Sequence, residues 1–86
     1  MTKKAYAVVT KILPETSWQL HEICTTEEKA WMCIETAFYK HLNFLLAVGD
    51  IIDSIKIDRY SVTITYSSNL ITYVTTFIIC KRPFVE

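Results

Sequence analysis

The chain has 86 residues, 51% hydrophobic and 21% charged, with nine Lys and Arg set against nine Asp and Glu. That length suits one small domain, residues 1–86, with one modest core, and the apolar content excludes a disordered chain. Zero net charge lacks the basic bias of a phosphate- or groove-binding protein, and no run reaches the roughly 18–20 apolar residues of a membrane span.

MTKKAYAVV leads into a strand pattern rather than a signal peptide. Ala5 to Leu13 forms the first strand, with Tyr6, Val8, Thr10 and Ile12 pointing one way. Both of its sides are rather apolar, as in a strand covered on one face and partly shielded on the other. Pro14 to Ser17 is turn chemistry. Trp18 to Cys24 is a shorter strand of imperfect alternation, with Trp18, Leu20 and Cys24 on one side and His21 and Ile23 on the other.

Thr25-Thr26-Glu27-Glu28 is a helix entry. Thr25 reads as the cap, Glu28 bonds back to it, and both glutamates sit at the positive end of the helix dipole. The helix runs to about Val48, and the only glycine, Gly49, follows as the left-handed C′ residue. Its buried stripe is Ala30/Trp31, Ile34, Ala37/Phe38, Leu42 with His41 flanking, Leu45 and Val48. Away from that stripe Met32, Tyr39 and Leu46 recur every seven residues, beside Glu28, Glu35 and Asn43.

In the following DIIDSIKIDR, Ile55 and Ile57 are odd-numbered, whereas the core face from Tyr60 onward is even. A β-bulge near Asp58-Arg59, or a separate short strand before Tyr60, accounts for this better than one regular strand. Tyr60 to Cys80 is a hairpin about a Ser68-Asn69 turn, in which Tyr66 faces Ile71 and Ile64 faces Tyr73. One face is Tyr60, Val62, Ile64, Tyr66, Ile71, Tyr73 and Phe77, broken only by Thr75. The other is dominated by threonine and serine, and Pro83 ends the last strand. The pattern predicts an α+β domain: a four-stranded antiparallel sheet in β-β-α-β-β order with one long helix packed on one face.

Little in this chain points to chemistry. His41 on the flank of the core stripe reads as a hydrogen-bonded structural histidine. Cys33 and His41, eight residues apart on a helix, stand about 12 Å apart and cannot share an ion. The three cysteines, Cys24, Cys33 and Cys80, have no framework spacing and read as small hydrophobes of a reduced, cytoplasmic protein. No serine sits in a nucleophile elbow, and one glycine cannot build a phosphate loop. The expectation is a non-enzyme without cofactor or metal.

Surface is the remaining source of function. Met32, Tyr39 and Leu46, flanked by Glu28 and Glu35, are the expected partner-binding residues of a protein–protein interaction module, with a second copy of the chain as one possible partner. The alternative is a nucleic-acid-binding or nucleic-acid-mimicking protein using Lys3, Lys4, Lys81 and Arg82 at the strand ends. A structural homo-oligomer subunit is the second alternative.

Trp18-Gln19-Leu20 followed by the Thr25 to Ala30 helix entry resembles small, mostly uncharacterised bacteriophage proteins over the first third of the chain. The resemblance implies a phage-encoded inhibitor or modulator that occludes a host or defence protein in the host cytoplasm. It carries over no functional residues.

Overall fold

A computed structural model describes the backbone at residues 2–13 and 17–85 and the side chains at 5–13 and 18–81. Of the turn expected at Pro14 to Ser17, residues 14–16 lie outside the described residues, and Ser17 belongs to the second strand. The elements are β1 (Thr2–Leu13), β2 (Ser17–Cys24), α1 (Glu27–Ala47), β3 (Ile51–Ile57), β4 (Ser61–Ser68) and β5 (Ile71–Val85). The fold is α+β, as the sequence implies, but the antiparallel sheet has five strands, in the order β2-β1-β5-β4-β3.

The fifth strand comes from the ambiguous Ile51–Ile57 segment. The Asp58 amide donates to the Ser61 carbonyl at 2.8 Å, closing a tight turn that separates β3 from β4. Ile55 and Ile57 then pair with Ile64 and Val62, which puts them on the helix side of the sheet. They remain exposed there, on the edge strand of the sheet.

The helix begins one residue later than the capping-box pattern suggests. Thr26 is the N-cap, its hydroxyl accepting from the Lys29 amide at 3.2 Å while its carbonyl takes the first helical bond, from Ala30. Thr25 therefore makes no box with Glu28; the glutamates act only through the dipole at the first turn. At the other end Gly49, at φ +81°, donates to Leu46, and Asp50 donates to Leu45. This pair of bonds is a Schellman motif, and only glycine enters that backbone region without strain.

The core joins Ala30, Ile34 and Leu45 of α1 to Val8, Val62, Ile64, Tyr66, Phe77 and Ile79 of the sheet. Ile64 is wholly buried, a position worth about 1.5–3 kcal/mol by transfer alone. Val48, expected in the stripe, is exposed: as the C-cap it lies past the last turn that rests on the sheet.

The β4–β5 hairpin turns at Asn69-Leu70, not Ser68-Asn69, so the register is shifted by two residues. Both turn residues have positive φ (51° and 68°), the backbone of a type I′ turn. This register stacks Tyr66 on Tyr73 at 5.5 Å and sets Thr63 opposite Thr76. A two-residue slip leaves every side chain on its predicted face, so Val62, Ile64, Tyr66, Tyr73 and Phe77 still lie under the helix.

Pro83 does not end β5, which continues to Val85. The Ile79 amide donates to Tyr60, so odd-numbered amides of β5 point towards β4. Beyond Ser61 there is no β4 to receive them, and a residue without an N–H fits position 83 at that open edge.

Candidate functional site

The helix covers one face of the sheet only. At 21 residues it is about 31 Å long, whereas the molecule extends 51 Å along its longest axis. Length and one-sidedness together leave three surfaces to consider.

The first is the outer face of the sheet. Residue pairing sets Ile23 beside Ala7 and Cys80, Leu20 beside Val9 and Ile78, and Trp18 beside Lys11. Trp18, Leu20 and Ile23 are between 57% and 63% exposed, and Leu13 lies exposed beside Val74 on the same face. Lys11 places its ammonium 4.9 Å from the Trp18 ring centroid, a cation–π contact at the rim of the patch.

This corrects the expected division of β2. A bulge offsets Leu20 from Glu22 in the pairing with β1 and makes His21 the extra residue. The alternation flips there, so Trp18, Leu20 and Ile23 share the outer face while His21 and Cys24 turn towards the helix. The broken alternation in WQLHEIC was the legible signal. The outer face is therefore threonine- and serine-rich only over β4 and its neighbours on β5, and apolar over β1 and β2.

The second surface is the far side of α1. Met32, Tyr39 and Leu46 are exposed, and so are Glu28 and Glu35 beside them. Tyr39 leans edge-on against Phe38 at 5.4 Å. Phe44, which the seven-residue pattern missed, is exposed as well. At the strand ends the register aligns Lys3 with Phe84, Lys4 with Pro83, Ala5 with Arg82 and Tyr6 with Lys81, bringing the four basic positions onto adjacent strands. Lys81 is exposed; the side chains of Lys3, Lys4 and Arg82 lie outside the described residues.

The third is a cleft of about 930 Å³ between α1 and the β2-β1-β5 part of the sheet. Its walls bring together His21 and Thr10, which are hydrogen-bonded through Nε2 and Oγ1, with His41, Thr75, Cys24 and Cys33. Phe77 lies near both imidazoles, at centroid distances of 6.3 Å from His21 and 6.0 Å from His41. Tyr66 packs edge-on against His41 from the core side at 5.5 Å.

His41 is half-buried on the core flank of the helix, as expected from its place there. Its Nε2 is buried with no partner among the described residues, and the same holds for Oγ1 of Thr75. Burial lowers the His41 pKa, favouring neutral imidazole. Burial raises the Cys24 thiol, with Glu22 adding to the rise and Lys29 opposing it. Cys33 is raised by burial, then by a hydrogen bond and negative charge from Glu22. Both thiols are thus held protonated, the opposite of what a nucleophile or thiolate ligand requires. No group of three or more His, Cys, Asp or Glu side chains converges among the described residues.

Among those residues no helix is long and apolar enough to cross a membrane. No protein-family model, curated protein or solved structure matches the chain.

Proposed function

We propose that this chain is a non-enzymatic protein-binding module whose principal contact surface is the uncovered apolar half of the sheet, centred on Trp18, Leu20 and Ile23. One observation carries the reading: these side chains lie in register with Ala7, Val9, Ile78 and Cys80, forming a continuous apolar face with no second layer over it among the described residues. A sheet buries its apolar face against another layer, and an apolar patch bounded by polar residues is characteristic of an interaction site. Trp18, held under Lys11, supplies the aromatic anchor on which interface energy concentrates.

The exposed Met32, Tyr39 and Leu46 form a second contact surface, favoured by their common exposure on the side of α1 away from the core. The resemblance to small bacteriophage proteins adds a partner class, a host or defence protein inhibited by occlusion. Two double variants separate the surfaces: Leu20→Asp with Ile23→Asp, and Met32→Asp with Tyr39→Asp. Each is compared with the unmodified chain for self-association by light scattering and for capture of purified candidate partners. Loss of association in the sheet variant, with the helix variant retaining it, is the expected result. Unchanged association in a folded sheet variant refutes the placement.

A further inference from the structure

β3 bounds the sheet on one side, with no strand beyond it among the described residues. The Asp58 amide bonds to the Ser61 carbonyl, in register with the pairing of Lys56 to Thr63. Backbone groups alternate in direction along an antiparallel strand, so Ile55 and Ile57 turn their N–H and C=O groups away from β4. A row of unpaired backbone groups of this kind is a template for another strand. The side chains of Ile55 and Ile57, paired with Ile64 and Val62 on the helix side, are 44% and 72% exposed.

Charge is distributed about the middle of this strand. β3 carries one acid, Asp53, and one base, Lys56. Both lie on the outer side of the sheet: the Ser67 hydroxyl donates to Asp53 at 2.9 Å, and Lys56 is paired with Thr63. The register shift between Ile52 and Ser54 makes Asp53 the extra residue of a bulge, so Ile52, opposite Tyr66, stays on the helix side with Ile55 and Ile57. Lys56 is 75% exposed, and its 3.9 Å contact with Asp58 is a weak surface ion pair that leaves it available to a second carboxylate.

We infer that β3 pairs antiparallel with β3 of a second copy of this chain about a twofold axis, joining the two sheets edge to edge. Two registers align the outward groups of Ile55 and Ile57. Setting Ile55 opposite Ile57 puts Lys56 directly against Lys56 of the partner subunit, a like-charge pair that disfavours it. Setting Ile55 opposite its own copy places Lys56 beside Ser54 and Asp53 of the partner subunit, and the bulge lets Ile57 meet Ile52. Isoleucines then line the helix side of the seam and two Asp53–Lys56 pairs its outer side, the self-complementarity that a twofold contact requires. The opposite edge offers no such match. In β2 the bulge falls mid-strand at His21, and Glu22 has no lysine or arginine on its strand to answer it.

The contact is short and belongs at the weak end of protein interfaces, so it is read at up to about 500 µM, well above the range in which outer-face association is compared. Sedimentation equilibrium of the full chain carrying Leu20→Asp and Ile23→Asp isolates it from the outer face. A reversible dimer is expected. Asp53→Lys and Lys56→Asp, both at exposed positions, should each raise its dissociation constant about tenfold. An equimolar mixture of the two restores opposite charges at both contacts and should recover the dimer, as should the double exchange in one chain. Amide hydrogen exchange in the unmodified chain gives a separate reading, slowing at Ile55 and Ile57 as concentration rises. A chain that stays monomeric at about 500 µM overturns the inference. So does a dimer indifferent to the single charge changes, a mixture that fails to recover it, or exchange at Ile55 and Ile57 that ignores concentration. Association abolished by the outer-face variant and untouched by the β3 variants overturns the edge pairing and leaves the protein-binding proposal standing; an edge dimer whose outer face binds nothing does the reverse.

Discussion

Thr75→Val is the most informative single change in this molecule. Thr75 sits on β5 between Ile12 of β1 and Ile64 of β4, facing the helix, and its hydroxyl oxygen is without a partner among the described residues. Replacing a hydroxyl by a methyl normally costs stability in a core, because the hydroxyl was bonded. Here the exchange removes an unpaired buried dipole and adds apolar surface where only 1% of the residue is exposed. Relief at the low end of the penalty for an unsatisfied group gives about 1 kcal/mol of added stability. For a domain of this size that raises Tm by about 4–8 °C. Paired urea and thermal melts of the purified chain read the effect. Thr76→Val is the control: its hydroxyl faces Thr63 at 3.4 Å on the outer side of the same strand, and its loss should change stability by under about 0.5 kcal/mol. If Thr75→Val instead destabilises by about 1 kcal/mol or more, the hydroxyl is bonded in solution and the argument from an unpaired group fails.

Two further outcomes follow from the geometry. Leu70 is fully exposed at φ 68°, so Leu70→Gly removes left-handed strain without losing packing and should stabilise by about 0.5–1 kcal/mol in the same melts. Destabilisation would show that the turn does not hold that conformation. Burial holds the His41 pKa below its ordinary value near 6.5, so the unfolded chain takes up the proton first as pH falls. The stability from neutral His41 is complete above that ordinary value and is lost as pH drops towards the lower native one. Urea melts between about pH 7.5 and pH 5 should therefore show declining stability, with a shallower decline in His41→Phe. An identical slope in the variant would remove His41 as its source.

Local signals made much of the scaffold legible. Gly49 after a long amphipathic run marked the end of α1, and the alternation over Tyr60 to Phe77 separated the helix side of the hairpin from the other. The exposed positions Met32, Tyr39 and Leu46 were readable from their seven-residue spacing. The helix entry was read one residue early, because Thr25 and Thr26 are adjacent threonines and either can cap. Which one does so depends on the carbonyl that accepts the first helical bond, and that carbonyl belongs to Thr26.

The candidate sites were much less legible, since each depends on an irregularity or a juxtaposition that no single stretch encodes. The bulge at His21 reverses the sides of β2 and places Ile23 with Trp18 and Leu20, forming the outer apolar patch. Pairing with β4 makes Ile51–Ile57 a strand of its own and the sheet five strands wide. The cleft draws Thr75 from β5 and His41 from α1 into one lining, 34 residues apart along the chain.

Residue order by itself determined what is periodic and local in this protein: one capped helix, alternating strands, and an apolar set large enough for one core. Tertiary structure decided where two chemically ordinary residues lose their hydrogen-bond partners, and which apolar face has no layer over it. Burial and strand pairing are properties of the assembled sheet and helix, and a threonine's hydroxyl is unpaired only in relation to everything packed around it.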